Sequence, residues 1–247
     1  MTRRALSIVL LAILSATNAL YAAEKTQSPF NGKDLKGWEG NPDVWSVKDG
    51  AIVGRTTADK PIKNNTFLIW KDGKPADFRL RFEYKIEGGN SGVQYRSKVL
   101  DPAKWIVAGY QADIDSGPTY TGILYEERER GILAKRGERV TIDRDGKATT
   151  DKIGDADELQ KSIHTDDWND YIIEVRGARM KHTVNGKLMS ETIDRDKKNR
   201  DKSGVLAFQV HAGPPMKVQF RNLKFEPLEP KAQKEKAEKK DKAEKKK

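Results

Sequence analysis

The chain has 247 residues, 36% apolar and 34% charged, with a formal charge of +10 and no cysteine. Disulfide staples, thiolate metal sites and cysteine nucleophiles are therefore excluded, and folding has to rest on packing. Residues 231–247 carry nine lysines against four acids and residues 1–22 carry two arginines, which leaves +3 on residues 23–230 and argues against a nucleic-acid partner for the domain.

In chain order, MTRRALSIVLLAILSATNALYAA begins basic, continues with an apolar run from Ala5 to Leu14 and ends in small residues, the pattern of an export signal over 1–22. Its apolar run is shorter than the roughly 20 residues of a spanning helix. The mature protein is expected to be periplasmic or secreted. Period-two alternation then predicts strands at 44–55, turning at Asp49-Gly50, at 67–70, and at 77–87, where Phe78, Leu80, Phe82, Tyr84 and Ile86 alternate with charges. Further strands are read at 92–96, 109–115, 123–127, 139–143, 170–191 with turns at Arg176-Gly177 and Asn185-Gly186, 204–210 and 217–228. Residues 155–163 are the one helical stretch. At least eleven short strands with almost no helical period predict a single all-β domain over 28–228, an antiparallel β-sandwich. Residues 231–247 lack aromatic and β-branched side chains and are expected to be a solvated, disordered tail, able to touch anionic envelope polymers.

A sandwich strand sends alternate side chains outward, so chemistry has to come from outward positions and loops. Three strands carry outward polar dyads: Gln94 with Arg96, Gln111 with Asp113, and Gln209 with His211. Such amides and ionisable groups form an array suited to sugar hydroxyls, although a solvated face without ligand has the same pattern. His211 precedes Gly213, Pro214 and Pro215, which fix the backbone beyond it. His164 and His182 read as surface residues. Glu126 and Glu127 are neighbours on one strand and point to opposite faces, so at most one shares the site. Trp105, Tyr110, Tyr120 and Tyr125 flank these strands and suit stacking on a sugar, whereas Trp38, Trp45 and Trp168 read as core. There is no HExxH, phosphate loop, Gly-x-Ser-x-Gly or complete calcium loop, and no Glu-x-Asp-x-x-Glu strand of the kind sandwich glucanases use.

Seven ordered motifs between residues 28 and 226, among them FNGKDLKGW (30–38), GGNSGVQYR (88–96), GYQADID (109–115) and VLAFQVHAGPPMKVQFRNLKF (205–225), closely resemble the 3-keto-disaccharide hydrolase family. The resemblance implies a concanavalin A-like jelly roll with a concave ligand face. It also implies an enzyme acting on glycosides whose C3 hydroxyl a separate sugar 3-dehydrogenase has oxidised. There, C2 proton abstraction, β-elimination at C1 and hydration would cleave the bond; a non-catalytic carbohydrate-binding module is the alternative. For that chemistry, parity nominates His211 as base or acid, Arg96 and Gln94 as donors to the oxyanion, Asp113 and Gln111 on hydroxyls, and Glu126 as the second ionisable group. Asn90, Glu83, Lys85, Tyr125, Trp105 and Gln209 are nominated as substrate contacts. No cofactor is identified, though His211, Glu126 and Asp113 have the donors a divalent metal accepts. The run Glu126 to Arg130 is more charged than the family's usual form, which bears on the rim of the site.

Overall fold

The computed structural model describes residues 26–229. The expected export signal and lysine tail lie outside the described residues. Sixteen strands form two sheets: β1 (Trp38–Glu39), β2 (Trp45–Lys48), β3 (Ala51–Arg55), β4 (Thr66–Trp70), β5 (Phe78–Glu87), β6 (Asn90–Asp101), β7 (Ile106–Asp115), β8 (Leu124–Glu127), β9 (Gly131–Ala134), β10 (Glu138–Ile142), β11 (Ala148–Lys152), β12 (Asn169–Arg176), β13 (Arg179–Val184), β14 (Lys187–Asp194), β15 (Val205–Val210) and β16 (Lys217–Pro227). A short helix, α1 (Ala156–Gln160), is capped by the Asp155 carboxylate.

The seven-stranded sheet runs β1-β4-β15-β6-β7-β8-β9 and the nine-stranded sheet β11-β10-β14-β13-β12-β5-β16-β3-β2. All pairings are antiparallel except β10 with β14, which is parallel and departs from the purely antiparallel expectation. The hairpins at Asp49-Gly50 and Asn185-Gly186 have positive φ at both turn residues, the geometry that matches strand twist and that Asp, Asn and Gly tolerate. The predicted strands all occur. β1, β9 and β11 were not predicted, being two to five residues long and without clear alternation.

One core lies between the sheets. Phe208 of the seven-stranded sheet stacks on Phe220 of the other at 4.1 Å, and Trp38 stacks on Phe208 at 5.0 Å. Each such ring, fully buried, contributes about 1.5–3 kcal/mol. β5 and β12 alternate between buried and part-exposed, as one-sided strands do, but β4 and β15 are buried at every position. Over β4 and β15 the outer face of the seven-stranded sheet is therefore covered. On one part of it Phe67, Ile69, Val107, Val205 and Ala207 pack beneath Val99 and Trp105 as a second small core. The rest of that face is polar and floors a cleft.

Trp38 and Trp45 are core as expected, but Trp168 is not. Its ring lies half-exposed under the Arg221 guanidinium at 3.8 Å. His182 is the opposite case: it is buried between the sheets, with Nε2 3.0 Å from the Tyr95 hydroxyl and Nδ1 3.1 Å from the Ile123 carbonyl. Since only Nδ1–H can satisfy that carbonyl, Nε2 accepts from Tyr95. Burial lowers the imidazole pKa to about 4, so the ring is neutral.

Candidate functional site

The cleft has a volume of about 490 Å³ and is walled by the N-terminal end of β6, the C-terminal ends of β7 and β15, and β8. Register explains which side chains reach it. Gln94 pairs with Gln111 and Gly92 with Asp113, while Gln209 pairs with Gly92, so all lie on the outer face side by side. A Cβ on Gly92 would stand 2.6 Å from Gln111 Cγ, and its absence leaves the space the Gln111 side chain fills.

Into that space Gln111 sends its amide. Its Nε2 donates to Asp113 Oδ1 at 2.6 Å, and its Oε1 accepts from Gln94 Nε2 at 2.7 Å. Ser97 Oγ donates to Gln94 Oε1, which fixes the amide's orientation. On the other side Gln209 Nε2 donates to Glu127 Oε2 at 3.3 Å and Asn65 Nδ2 to Glu127 Oε1 at 3.2 Å, while Asn65 Oδ1 accepts from the Ala212 amide. The floor is thus a continuous amide network holding two carboxyl groups. Asp113 is 5% exposed. Burial is the main cause that lifts its pKa to about 8; the Gln111 and Asn90 donors oppose this, and the charges of Glu127 and Asp115 add to it.

At the mouth, His211 is exposed and lines the cleft, its Nδ1 2.6 Å from the Ala212 carbonyl. Nδ1–H donates there, leaving Nε2 for a ligand. Tyr125, Tyr120 and Ile132 also flank the opening, the last two 43% and 45% exposed. Large exposed apolar side chains beside a polar floor suit the two-sided surface of a sugar ring.

Of the nominated residues, the structure brings together Asp113, Gln111, Asn90, Tyr125 and His211 in the cleft. Gln94 and Gln209, both fully buried, support the floor from beneath and do not line it. Arg96 is a correction. A bulge between Tyr95 and Lys98 inserts a residue, Arg96 takes φ 50°, and its side chain crosses toward the opposite sheet. There Nε donates to Ala76 O, Nη1 to Gly177 O and Nη2 to Asp77 Oδ1, at 2.7–2.9 Å. Gly204 makes this possible, since a Cβ there would strike the backbone of Arg96 and Ser97 at 2.3–2.4 Å.

Glu126 is a second correction. It pairs with inward-facing Tyr110, is fully buried and binds Arg130, whose Nη2 donates to Oε1 at 2.8 Å. Burial raises its pKa and Arg130 opposes the shift. Glu127 is the outward member of the pair. Tyr110, facing inward, donates to Asp194 and cannot stack on a ligand in the cleft. With Glu126 on the other face, the trio of His211, Glu126 and Asp113 does not converge. Among the described residues no three His, Asp or Glu groups are placed to hold a metal ion. Glu83 and Lys85 lie on β5 in the other sheet, Glu83 accepting from Arg221 and Asn222. Trp105 lies outside the cleft, over the apolar part of the face. Missed from the sequence were Glu127, Asp115 and Asn65. Asp115 was visible as the third outward residue of GYQADID, whereas Asn65 sits before β4 and carries no periodic signal.

A jelly-roll sandwich with an amide-floored, acidic, tyrosine-flanked cleft defines a carbohydrate-active protein of the glycoside hydrolase or carbohydrate-binding kind. The particular family is given by its sequence model: residues 25–226 match the 3-keto-alpha-glucoside-1,2-lyase-like domain, and the chain belongs to that family. Comparison with curated proteins finds no match. Among solved structures, a candidate glycosyl hydrolase of Parabacteroides distasonis is similar at 19% identity and TM-score 0.53, covering 84% of this chain and 95% of that one. The carbohydrate-binding module CBM66 of Bacillus subtilis is similar at 16% identity and TM-score 0.51, over 77% and 95%. A Bacillus subtilis protein of unknown function with a galectin-like fold gives 10% and 0.53, over 78% and 90%. At these identities the likeness shows the fold alone.

Proposed function

We propose that the cleft cleaves glycosides whose C3 hydroxyl has already become a ketone. The reading rests on family membership and on one observation: Asp113, a buried carboxyl whose pKa burial lifts to about 8, shares the cleft with the amide-held Glu127. The ketone acidifies the C2 hydrogen, which Glu127 removes. As charge moves to the C3 oxygen, neutral Asp113 donates a hydrogen bond to it. No Lys or Arg lines the cleft, so a neutral carboxyl is the donor suited to that task. The C1–O bond then breaks with its electron pair on the departing oxygen, which takes a proton from protonated His211 Nε2. Water adds to the resulting C1=C2 bond, its hydroxyl to C1, while Glu127, whose proton exchanges with solvent once the leaving group has departed, protonates C2 and the water's second proton restores His211.

In this reading a sugar 3-dehydrogenase supplies the ketone, and with the expected export signal both steps would take place outside the cytoplasm. A carbohydrate-binding module is the second reading, favoured by the exposed Tyr120 and by floor amides already satisfied by one another. Incubation with a 3-keto-disaccharide and with its unoxidised parent separates them. Release of the 3-keto sugar supports the enzyme, binding of either sugar without turnover supports the module, and cleavage of the unoxidised sugar alone rejects the keto mechanism.

A further inference from the structure

A second, larger cavity of about 590 Å³ lies at the other end of the sandwich. It opens beside Arg96, roughly 20 Å along β6 from Asn90 at the cleft. Segment 72–77 before β5, Arg200 and Lys202 before β15, and the end of β16 form its walls.

Its charges do not balance. The Arg96 guanidinium is consumed by Ala76, Gly177 and Asp77, and Asp77 by Arg96 and the Gly177 amide. That leaves Arg200, Lys74 and Lys202 facing one remaining acid in the lining, Asp72. Among the described residues Arg200 has no ion-pair partner, and its buried Nε has no acceptor. A donor without a protein acceptor at a cavity wall is available to an acceptor from outside the chain. Arg96, already lowered by burial, is lowered further by the charge of Arg200, so the two cations sit close enough to repel. An anion between them would relieve both.

The remaining walls are apolar, from Trp70, Pro75, Phe225, Pro227 and Leu228. A bare inorganic anion would leave most of this space unfilled, whereas a ring with an apolar face fills it. The lysine tail, at nine lysines against four acids, has the wrong charge to be the occupant.

We propose that this cavity binds a carboxylated or sulfated sugar ring, its oxyanion on Arg200 with Lys74 and Lys202 at the rim and its C–H face against Trp70 and Pro227. Such a site, distant from the cleft, would hold the protein on an acidic polysaccharide while the cleft acts on a neighbouring unit. It does not depend on the reaction proposed for the cleft.

The test is calorimetric titration of the full chain, in chloride buffer free of sulfate and phosphate, with D-glucuronate, D-glucose and sodium sulfate, repeated on Arg200→Ala. The buried Arg200 Nε has no acceptor among the described residues, so near-UV circular dichroism of the variant should match the parent. Saturable glucuronate binding at least 10-fold tighter than that of glucose or sulfate, and weakened at least 10-fold by Arg200→Ala, supports the proposal. Equal binding of glucose, equal binding of sulfate, an unchanged Arg200→Ala variant or no saturation each overturns it.

Discussion

Asp113 is the residue on which the chemistry turns. Its carboxyl titrates at about 8, so the proposed donor is present below that pH and lost above it. The rate with a 3-keto-glycoside should therefore fall about tenfold per unit above pH 8. Asp113→Asn, which keeps a donor but cannot titrate, should lower the rate by 10- to 100-fold and abolish that limb; a retained limb at pH 8 assigns it to another group. Gly92→Ala tests the floor beneath it. The new Cβ, 2.6 Å from Gln111 Cγ, must displace the amide that donates to Asp113. Turnover should drop at least tenfold while stability falls by only about 1–3 kcal/mol, read from urea unfolding. At this scale the sequence was informative where alternation held: Gln111 and Asp113 reach the cleft by parity alone. It misassigned Glu126 and Glu127 because Ile123 and Leu124, consecutive and both buried, erase the alternation that would set their parity.

β6 shows why an element can be read correctly and one of its side chains misplaced. Its strand character was evident in GVQYR, but the bulge at Tyr95–Lys98 depends on pairing with β7 and β15, which a single segment does not display. Past the bulge the parity rule no longer applies, and Arg96 becomes a strut between the sheets instead of a ligand contact. Breaking a buried, multiply bonded ion pair costs roughly 3–5 kcal/mol. Arg96→Ala should lose that much in urea unfolding, with Arg96→Lys recovering part of it because one ammonium cannot reach both carbonyls and Asp77. An unchanged midpoint for Arg96→Ala would contradict the structural role. The outward glutamines carry a related lesson: alternation placed them on the right face, yet their burial beneath the floor, Gln94 against Gln111 and Ser97 and Gln209 against Glu127, has no local signature.

For the whole molecule, fold class and strand order of appearance were legible because period two persists through most of the domain, while the parallel β10–β14 contact and the short edge strands were not. The buried ionisable groups give the molecule a pH-dependent stability of definite sign. His182 is depressed from 6.5 to about 4, so the unfolded chain binds the extra proton between those values and stability falls as pH drops below 6.5, by on the order of 3 kcal/mol. Asp113 is raised from 3.8 to about 8, so the folded chain binds the extra proton and stability falls as pH rises from 4 to 8, by on the order of 5 kcal/mol. Between pH 4 and 6.5 the two slopes oppose each other. Asp113→Asn should therefore gain stability over the parent steadily from pH 4 to 8 and hold that gain above it, in urea unfolding at fixed ionic strength. A difference independent of pH would show that Asp113 titrates at its ordinary value.

The most direct measurement is cleavage of a 3-keto-disaccharide in D₂O, with the isotope at C2 of the released sugar read at early time and corrected for exchange of the free product. Abstraction by Glu127 followed by hydration predicts deuterium at C2 in the parent, and both cleavage and incorporation reduced at least 100-fold in Glu127→Gln. Product that keeps protium at C2, formed at the full rate, would contradict the mechanism.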